Sequence, residues 1–157
     1  MRARSILVLA ASFVLAGTAL AQSKMSSTAH AAKAPVFKPA ADLKWTDLDP
    51  QGAPGVKIAD VAGDHAKGAF SAFIKFPAGF TAPLHTHTSP YKIVVMSGTF
   101  LQTPEGKSEM RLGPGSYAFQ PGGAYKHVTG CDKASECVIF VDGPGKFDLI
   151  PAEAAKK

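Results

Sequence analysis

The sequence predicts an all-β domain, a double-sheet sandwich or barrel, on three observations. Short apolar runs of strand length recur along the chain. Turn signals separate them at a regular pace: Asp49-Pro50-Gln51-Gly52, Pro77-Ala78-Gly79, Pro104-Glu105-Gly106-Lys107, Gly113-Pro114-Gly115 and Pro121-Gly122-Gly123. No helical hydrophobic period of useful length follows the opening segment. Such a chain reads as a sandwich or barrel, and the turn frequency favours a small jelly roll.

The opening segment is an address. Arg2 and Arg4 precede an apolar run from Ile6 to Leu20, and Ala19-Leu20-Ala21 is an A-x-A cleavage site. The pattern predicts a secretory signal peptide over 1–21, too short and wrongly flanked for a membrane span. An uncleaved anchor is the alternative. Cleavage after Ala21 implies a periplasmic or secreted protein, and no later segment is apolar enough to cross a bilayer. Loss of the two leader arginines lowers the formal charge from +5 to +3. The remaining basic residues, among them Lys38, Lys57, Lys92, Arg111 and Lys133, form no run. A solvated, mildly basic surface follows, with no nucleic-acid partner expected. About 136 residues make one domain with a real core.

Residues 22–43 are rich in Ala, Ser, Lys and Pro and read as a flexible lead-in carrying a solvated His30. Trp45 and Leu48 begin the ordered domain, expected over 44–152 with a short tail over 153–157. Strands are expected at 56–61, 69–76, 80–87, 91–97, 99–103, 108–112, 116–120, 124–129, 136–141 and 147–150. Between the first two, Gly63-Asp64-His65-Ala66-Lys67-Gly68 is a polar turn. His65 reads there as an exposed turn histidine, or as a base oriented by Asp64.

Cys131 and Cys137 are the only cysteines. In an oxidising compartment the pair is most simply a disulfide. Reduced structural thiols and a functional thiol are the alternatives.

The chemistry gathers in two stretches. Gly79 is followed by five residues, then His85-Thr86-His87, then Tyr91, with Gly98 closing a hairpin. Side chains two apart on a strand share a face, so His85 and His87 can reach one metal ion. Farther on, Gly115 precedes Pro121-Gly122-Gly123 and His127. In order and spacing the two stretches resemble the paired motifs of the cupin superfamily, over roughly Trp45 to Ile150. The His-Thr-His-Thr…Tyr segment, the Gly-Pro-Gly-Ser-Tyr…Gln-Pro-Gly-Gly stretch and the late cysteine pair are most similar to small single-domain cupins of the ChrR-like, DUF4437 type. The resemblance implies a cupin double-stranded β-helix, a jelly-roll barrel.

It also implies that His85, His87 and His127 are metal ligands. The family's glutamate, four residues after the second histidine, is replaced by Tyr91. With Lys92 facing out, Tyr91, Ile93 and Val95 turn inward, where the phenol would act on a metal-bound water or substrate. The second motif departs too, with one extra residue before His127 and Cys131 at a position where the family often has asparagine. Three imidazoles leave coordination positions open, as catalytic metal sites do. They suit iron or zinc first, with copper, nickel or manganese as alternatives. Phe73, Ile93, Val95, Phe119 and Val138 are expected to wall a largely apolar pocket.

The leading expectation is an extracytoplasmic metal-dependent oxygenase of a small chelating substrate. The alternatives are a non-catalytic module that binds a metal or small ligand, and a metal-dependent isomerase or lyase using Tyr91. A homodimer is a family-based expectation, with Phe70, Ile74 and Phe76 as candidates for its interface.

Overall fold

The computed structural model describes residues 34–152. The expected signal peptide, His30, most of the 22–43 segment and the 153–157 tail lie outside the described residues. The compact unit begins at Val36, and a single 3-10 turn, Ala40–Asp42, precedes the strands.

Eleven strands follow among the described residues: β1 Thr46–Asp49, β2 Ala53–Gly63, β3 Phe70–Phe76, β4 His85–Thr86, β5 Tyr91–Ser97, β6 Phe100–Pro104, β7 Met110–Leu112, β8 Tyr117–Gln120, β9 His127–Cys131, β10 Cys137–Gly143 and β11 Ile150–Pro151. They form two antiparallel sheets. The six-stranded sheet has the order β1-β2-β3-β10-β5-β8, and the five-stranded sheet the order β11-β4-β9-β6-β7. Neighbours distant in sequence, such as β3 and β10, mark the jelly-roll weave expected from the turn pattern. No helix of the described residues is long and apolar enough to cross a membrane.

Period-2 alternation decides what each sheet contributes to the core. In β3, Phe70, Ala72, Ile74 and Phe76 are buried while Ser71, Phe73 and Lys75 are not. In β5, Tyr91, Ile93 and Val95 are buried and Lys92 is exposed. In β10, Cys137, Ile139 and Val141 face in. Val56, Ile58 and Phe100 complete the apolar centre. Fully burying such an aliphatic or aromatic side chain stabilises the fold by roughly 1.5–3 kcal/mol.

The same alternation corrects two expectations. Phe73 and Val138 lie on the outward rows of β3 and β10, and Phe119 is 56% exposed. None of the three walls an internal pocket. Ile93 and Val95 do face inward, but into packed core rather than the histidine cavity. Conversely, Phe70, Ile74 and Phe76 are buried core residues of the single chain and are not available to a partner. The outward apolar row of this sheet runs instead through Phe73, Phe140, Val94 and Tyr117 on adjacent strands.

The strand expected over 80–87 is largely irregular. Pro83 has no N–H to give a ladder, so the segment crosses the sheet through Ala82 N–H to Thr129 O and Cys131 N–H to Phe80 O, pairing regularly only at His85 and Thr86. Cys131 and Cys137 are joined by a disulfide. Cys131 shares the inner face of β9 with His127 and Thr129.

Candidate metal centre

Two strands, β4 and β9, bring the histidines together. His85 on β4 stands directly opposite His127 on β9. His87, two residues on, returns to the same face as His85. All three are buried, at 1%, 3% and 0% exposure for His85, His87 and His127. Their rings are in contact, with centroids 4.2 Å apart for His85 and His127, 4.8 Å for His85 and His87, and 5.1 Å for His87 and His127.

Each ring is held by its Nδ1. His85 Nδ1 donates to Pro83 O at 2.7 Å, and His87 Nδ1 donates to the main-chain oxygen of Asp148. His127 Nδ1 meets the side-chain amide of Gln120 at 2.7 Å, with Tyr125 O also facing it at 3.4 Å. With the outer nitrogens engaged, His87 Nε2 and His127 Nε2 face one another at 3.3 Å. Two nitrogens about 2.1 Å from a common ion, at tetrahedral to right angles, lie about 3.0–3.4 Å apart. A ligand nitrogen from each of the three residues falls within a 4.8 Å set. The chemistry and convergence of the donor set are compatible with a divalent metal, with the His87–His127 pair already at ligand spacing.

Electrostatics favour the ligand form. Burial lowers the His85 pKa. Burial lowers that of His87 to about 4, the neighbouring His85 adding to it while the bond to Asp148 O opposes it. Burial, with His85 and His87 close by, lowers that of His127 to about 3. All three are therefore neutral at neutral pH, the form in which an imidazole nitrogen can bind an ion.

Tyr91 completes the site. Its hydroxyl lies 2.9 Å from His87 Nε2, and it is 6% exposed. Burial pushes the phenol far above its ordinary value, so it keeps its proton and can donate a hydrogen bond. The inward direction expected from parity with Lys92 is observed.

A cavity of about 30 Å³ lies beside His85, His87 and Tyr91, walled by Val56, Ile74, Phe76, Phe100 and Phe147 among others. It has room for about two water molecules. Thr129 is the one further polar side chain that lines it.

His65 is not part of this centre. Its Nδ1 pairs with Asp60 Oδ2 at 2.8 Å, not with Asp64, whose carboxylate is taken by Ala66 N–H and Lys67. It is half-buried rather than an exposed turn residue.

Three residues that position the site were not anticipated. Gln120 could have been found, since it is the polar member of the inward row of β8, next to Pro121. Asp148 acts on His87 through its main chain, which leaves no sequence signal. Phe147 looks like an ordinary strand residue, yet its ring lies 5.2 Å from that of His87 and 5.3 Å from that of Tyr91.

A family model described as a domain of unknown function, DUF4437, matches residues 35–157. The chain belongs to the DUF4437 family. No curated protein matches it by sequence. Among solved structures, this DUF4437 chain is similar to the polyketide cyclase RemF from Streptomyces resistomycificus, with a TM-score of 0.65, 17% identity, and coverage of 78% of this chain and 89% of that one. It is similar to the DMSP lyase DddQ from Ruegeria pomeroyi, with a TM-score of 0.59, 21% identity, and coverage of 74% and 64%. An RmlC-like cupin from Shewanella frigidimarina gives a TM-score of 0.54, 20% identity, and coverage of 71% and 92%. These likenesses establish the cupin fold.

Proposed function

We propose that this DUF4437 cupin is a metal-dependent enzyme acting on a small molecule, with His85, His87 and His127 as the ligands of one divalent ion. The single observation that carries the reading is the inward convergence of three neutral imidazoles whose outer nitrogens are already occupied. Iron and zinc are the leading ions, with copper, nickel and manganese as the others that such nitrogen ligands suit. Bound there, the ion would serve as a Lewis acid toward an oxygen of the substrate.

Among reaction classes, the placement of Tyr91 favours proton transfer without oxygen, as in a lyase, isomerase or cyclase. A neutral phenol in an apolar cavity is a hydrogen-bond and proton donor held ready for developing negative charge. Fold neighbours include a polyketide cyclase and a DMSP lyase, which bear on the fold rather than the substrate. The oxygenase reading rests on the positions that a three-histidine centre leaves open. We place the enzyme in the periplasm or outside the cell, from the leader pattern of residues 1–21.

Elemental analysis of protein purified from its own compartment without chelators is the first test, with about one metal per chain expected. Turnover of small ketones, diketones and β-substituted acids is then compared with and without oxygen. Equal rates support proton transfer, and oxygen-dependent rates support the oxygenase. Metal retention without turnover in either condition would leave a binding module.

A further inference from the structure

The histidine cavity is too small for any substrate larger than a few atoms, so something in its wall must give way. Of the residues that line it, only Leu48, Phe80, Phe147 and Leu149 are not fully buried. Three of these four, Leu48, Phe147 and Leu149, also line a separate surface cleft of about 310 Å³ that includes His65 and Asp148. The cavity and the cleft thus share a wall one side chain thick.

Within that wall the three residues differ in freedom. Leu48 is the unpaired bulge residue of β1, held between Asp47 and Asp49, which pair with Lys57 and Ala53 of β2. Leu149 directly precedes β11, which is paired with β4. Phe147 belongs to no strand. It sits in a strap, residues 144–149, that runs from β10 to β11 across the mouth of the site. The strap is held at Phe147 and Asp148 by main-chain and side-chain bonds, His87 Nδ1 donating to Asp148 O among them. Phe147 N–H donates to His65 O at 2.7 Å, and the Asp148 carboxylate accepts from Thr88 N–H at 2.8 Å and Thr88 Oγ1 at 2.7 Å. The Asp148 carboxyl sits below the usual range: partial burial pushes it up, but the two Thr88 bonds and Lys146 outweigh that. The backbone is anchored and the ring is the movable part. It touches His87 and Tyr91 on the inner side and is edge-on to Phe70 at 6.0 Å.

We infer that Phe147 is the gate and size-selecting residue of the histidine site, and that ligands reach His85 and His87, the two histidines that line the cavity, through the cleft at Leu48, His65 and Asp148. A rotamer change of the ring, fast for a half-exposed side chain, joins the two spaces without breaking a main-chain hydrogen bond. The occupied volume of the ring then limits what can stand beside His87 and Tyr91. This inference rests on the three histidines being the functional centre.

The test is the rate of diethylpyrocarbonate modification of each histidine, read by peptide mass spectrometry on the full chain after chelator treatment. His65 lies on the outer side of the gate and serves as the internal reference. Phe147→Ala is expected to raise the rates at His85 and His87 relative to His65 by about tenfold, as a drop of about 1.4 kcal/mol in opening cost would give. Phe147→Trp is expected to lower them, and Phe80→Ala, at the other half-exposed part of the wall, to leave them unchanged. An increase with Phe80→Ala and none with Phe147→Ala would place the entrance elsewhere and overturn the inference. Should Phe147→Ala fail to fold, Phe147→Trp decides: slowed modification supports the gate, and an unchanged rate refutes it. The readout needs neither metal nor turnover. A chain that bound no metal would defeat the functional reading and still report on the gate.

Discussion

The hydroxyl of Tyr91 and Nε2 of His87 are 2.9 Å apart, so the residue standing where cupins often carry a glutamate ligand points at the atom that would bind the metal. Two roles follow from that contact. A ligand role would require the phenolate, which burial disfavours. A donor role requires only the neutral phenol already present.

The substitution Tyr91→Phe separates them. With the donor role, the variant folds with a stability change within about 1 kcal/mol, the net worth of a typical hydrogen bond. It retains its metal, and its turnover falls by about 10²–10⁴, the range for loss of a general acid. Metal content and kcat measured on one preparation check this. Loss of metal together with activity would make Tyr91 a ligand. Tyr91→Glu, which restores the carboxylate, is expected to tighten metal binding while destabilising the metal-free chain, because the position is 6% exposed.

Gln120 acts on the ion through His127. A half-turn of its amide presents the oxygen to His127 Nδ1–H, which fixes the ring and raises its basicity. Gln120→Leu removes that partner from a buried ring whose Nδ1 otherwise meets Tyr125 O at 3.4 Å. Loss of such an outer partner costs about 10–100-fold in metal affinity. Competition against a chromophoric chelator measures it, with circular dichroism confirming the fold. Gln120→Glu should recover the affinity, since a carboxylate accepts the same hydrogen bond.

How much of this could be read in the chain follows from which forces leave a local mark. Strand parity put Tyr91, Ile93 and Val95 inside and Lys92 outside, because a two-residue period is written directly in the sequence. The His85-Thr86-His87 pair was legible for the same reason, and His127 through the Pro121-Gly122-Gly123 turn before it. Parity was misjudged for Phe73, Phe119 and Val138, since apolar residues on both faces of a strand leave no contrast between inside and outside. Asp60 as the partner of His65 was invisible because the pair joins a strand to the turn after it, with Asp64 nearer in sequence. The strap around Phe147 and Asp148 depends on a bond from the His87 ring to the Asp148 main-chain oxygen, 61 residues on, which no local pattern encodes.

The histidines also set a pH dependence. Their folded pKa values lie below the ordinary value of 6.5, at about 4 for His87 and about 3 for His127. Between those values and 6.5 the unfolded chain binds more protons than the folded one. Stability of the metal-free protein is therefore full above pH 6.5 and declines as the pH falls toward 3, by up to about 1.4 kcal/mol per unit of depression at each site. Urea titrations of chelator-treated protein at pH 7.5 and 4.5 are expected to show a lower midpoint at the acid value. His127→Gln, which cannot protonate in this range, should reduce the difference. A midpoint independent of pH would mean that the buried rings do not govern acid stability.

The two glycines that bracket the first motif are needed for different reasons, and this is measurable. Both have positive φ, +76° at Gly79 and +74° at Gly98, a region where a side chain costs about 1–2 kcal/mol. A Cβ at Gly79 would meet nothing closer than Lys133 Cβ at 3.8 Å. At Gly98 it would stand 2.4 Å from Glu136 O and 2.9 Å from Cys137 Cα, both backbone atoms. Those atoms cannot move alone, because Cys137 begins β10 and is tied to Cys131 by the disulfide. Gly79→Ala is thus expected to cost only the backbone term. Gly98→Ala should cost that and about 1–3 kcal/mol more for forced displacement of β10. Chemical denaturation of the two variants side by side decides it, and equal losses would show that the β10 end yields without strain. Since β10 pairs with β5, which carries Tyr91, Gly98→Ala should also disturb the phenol's contact with His87, whereas Gly79→Ala should leave it intact.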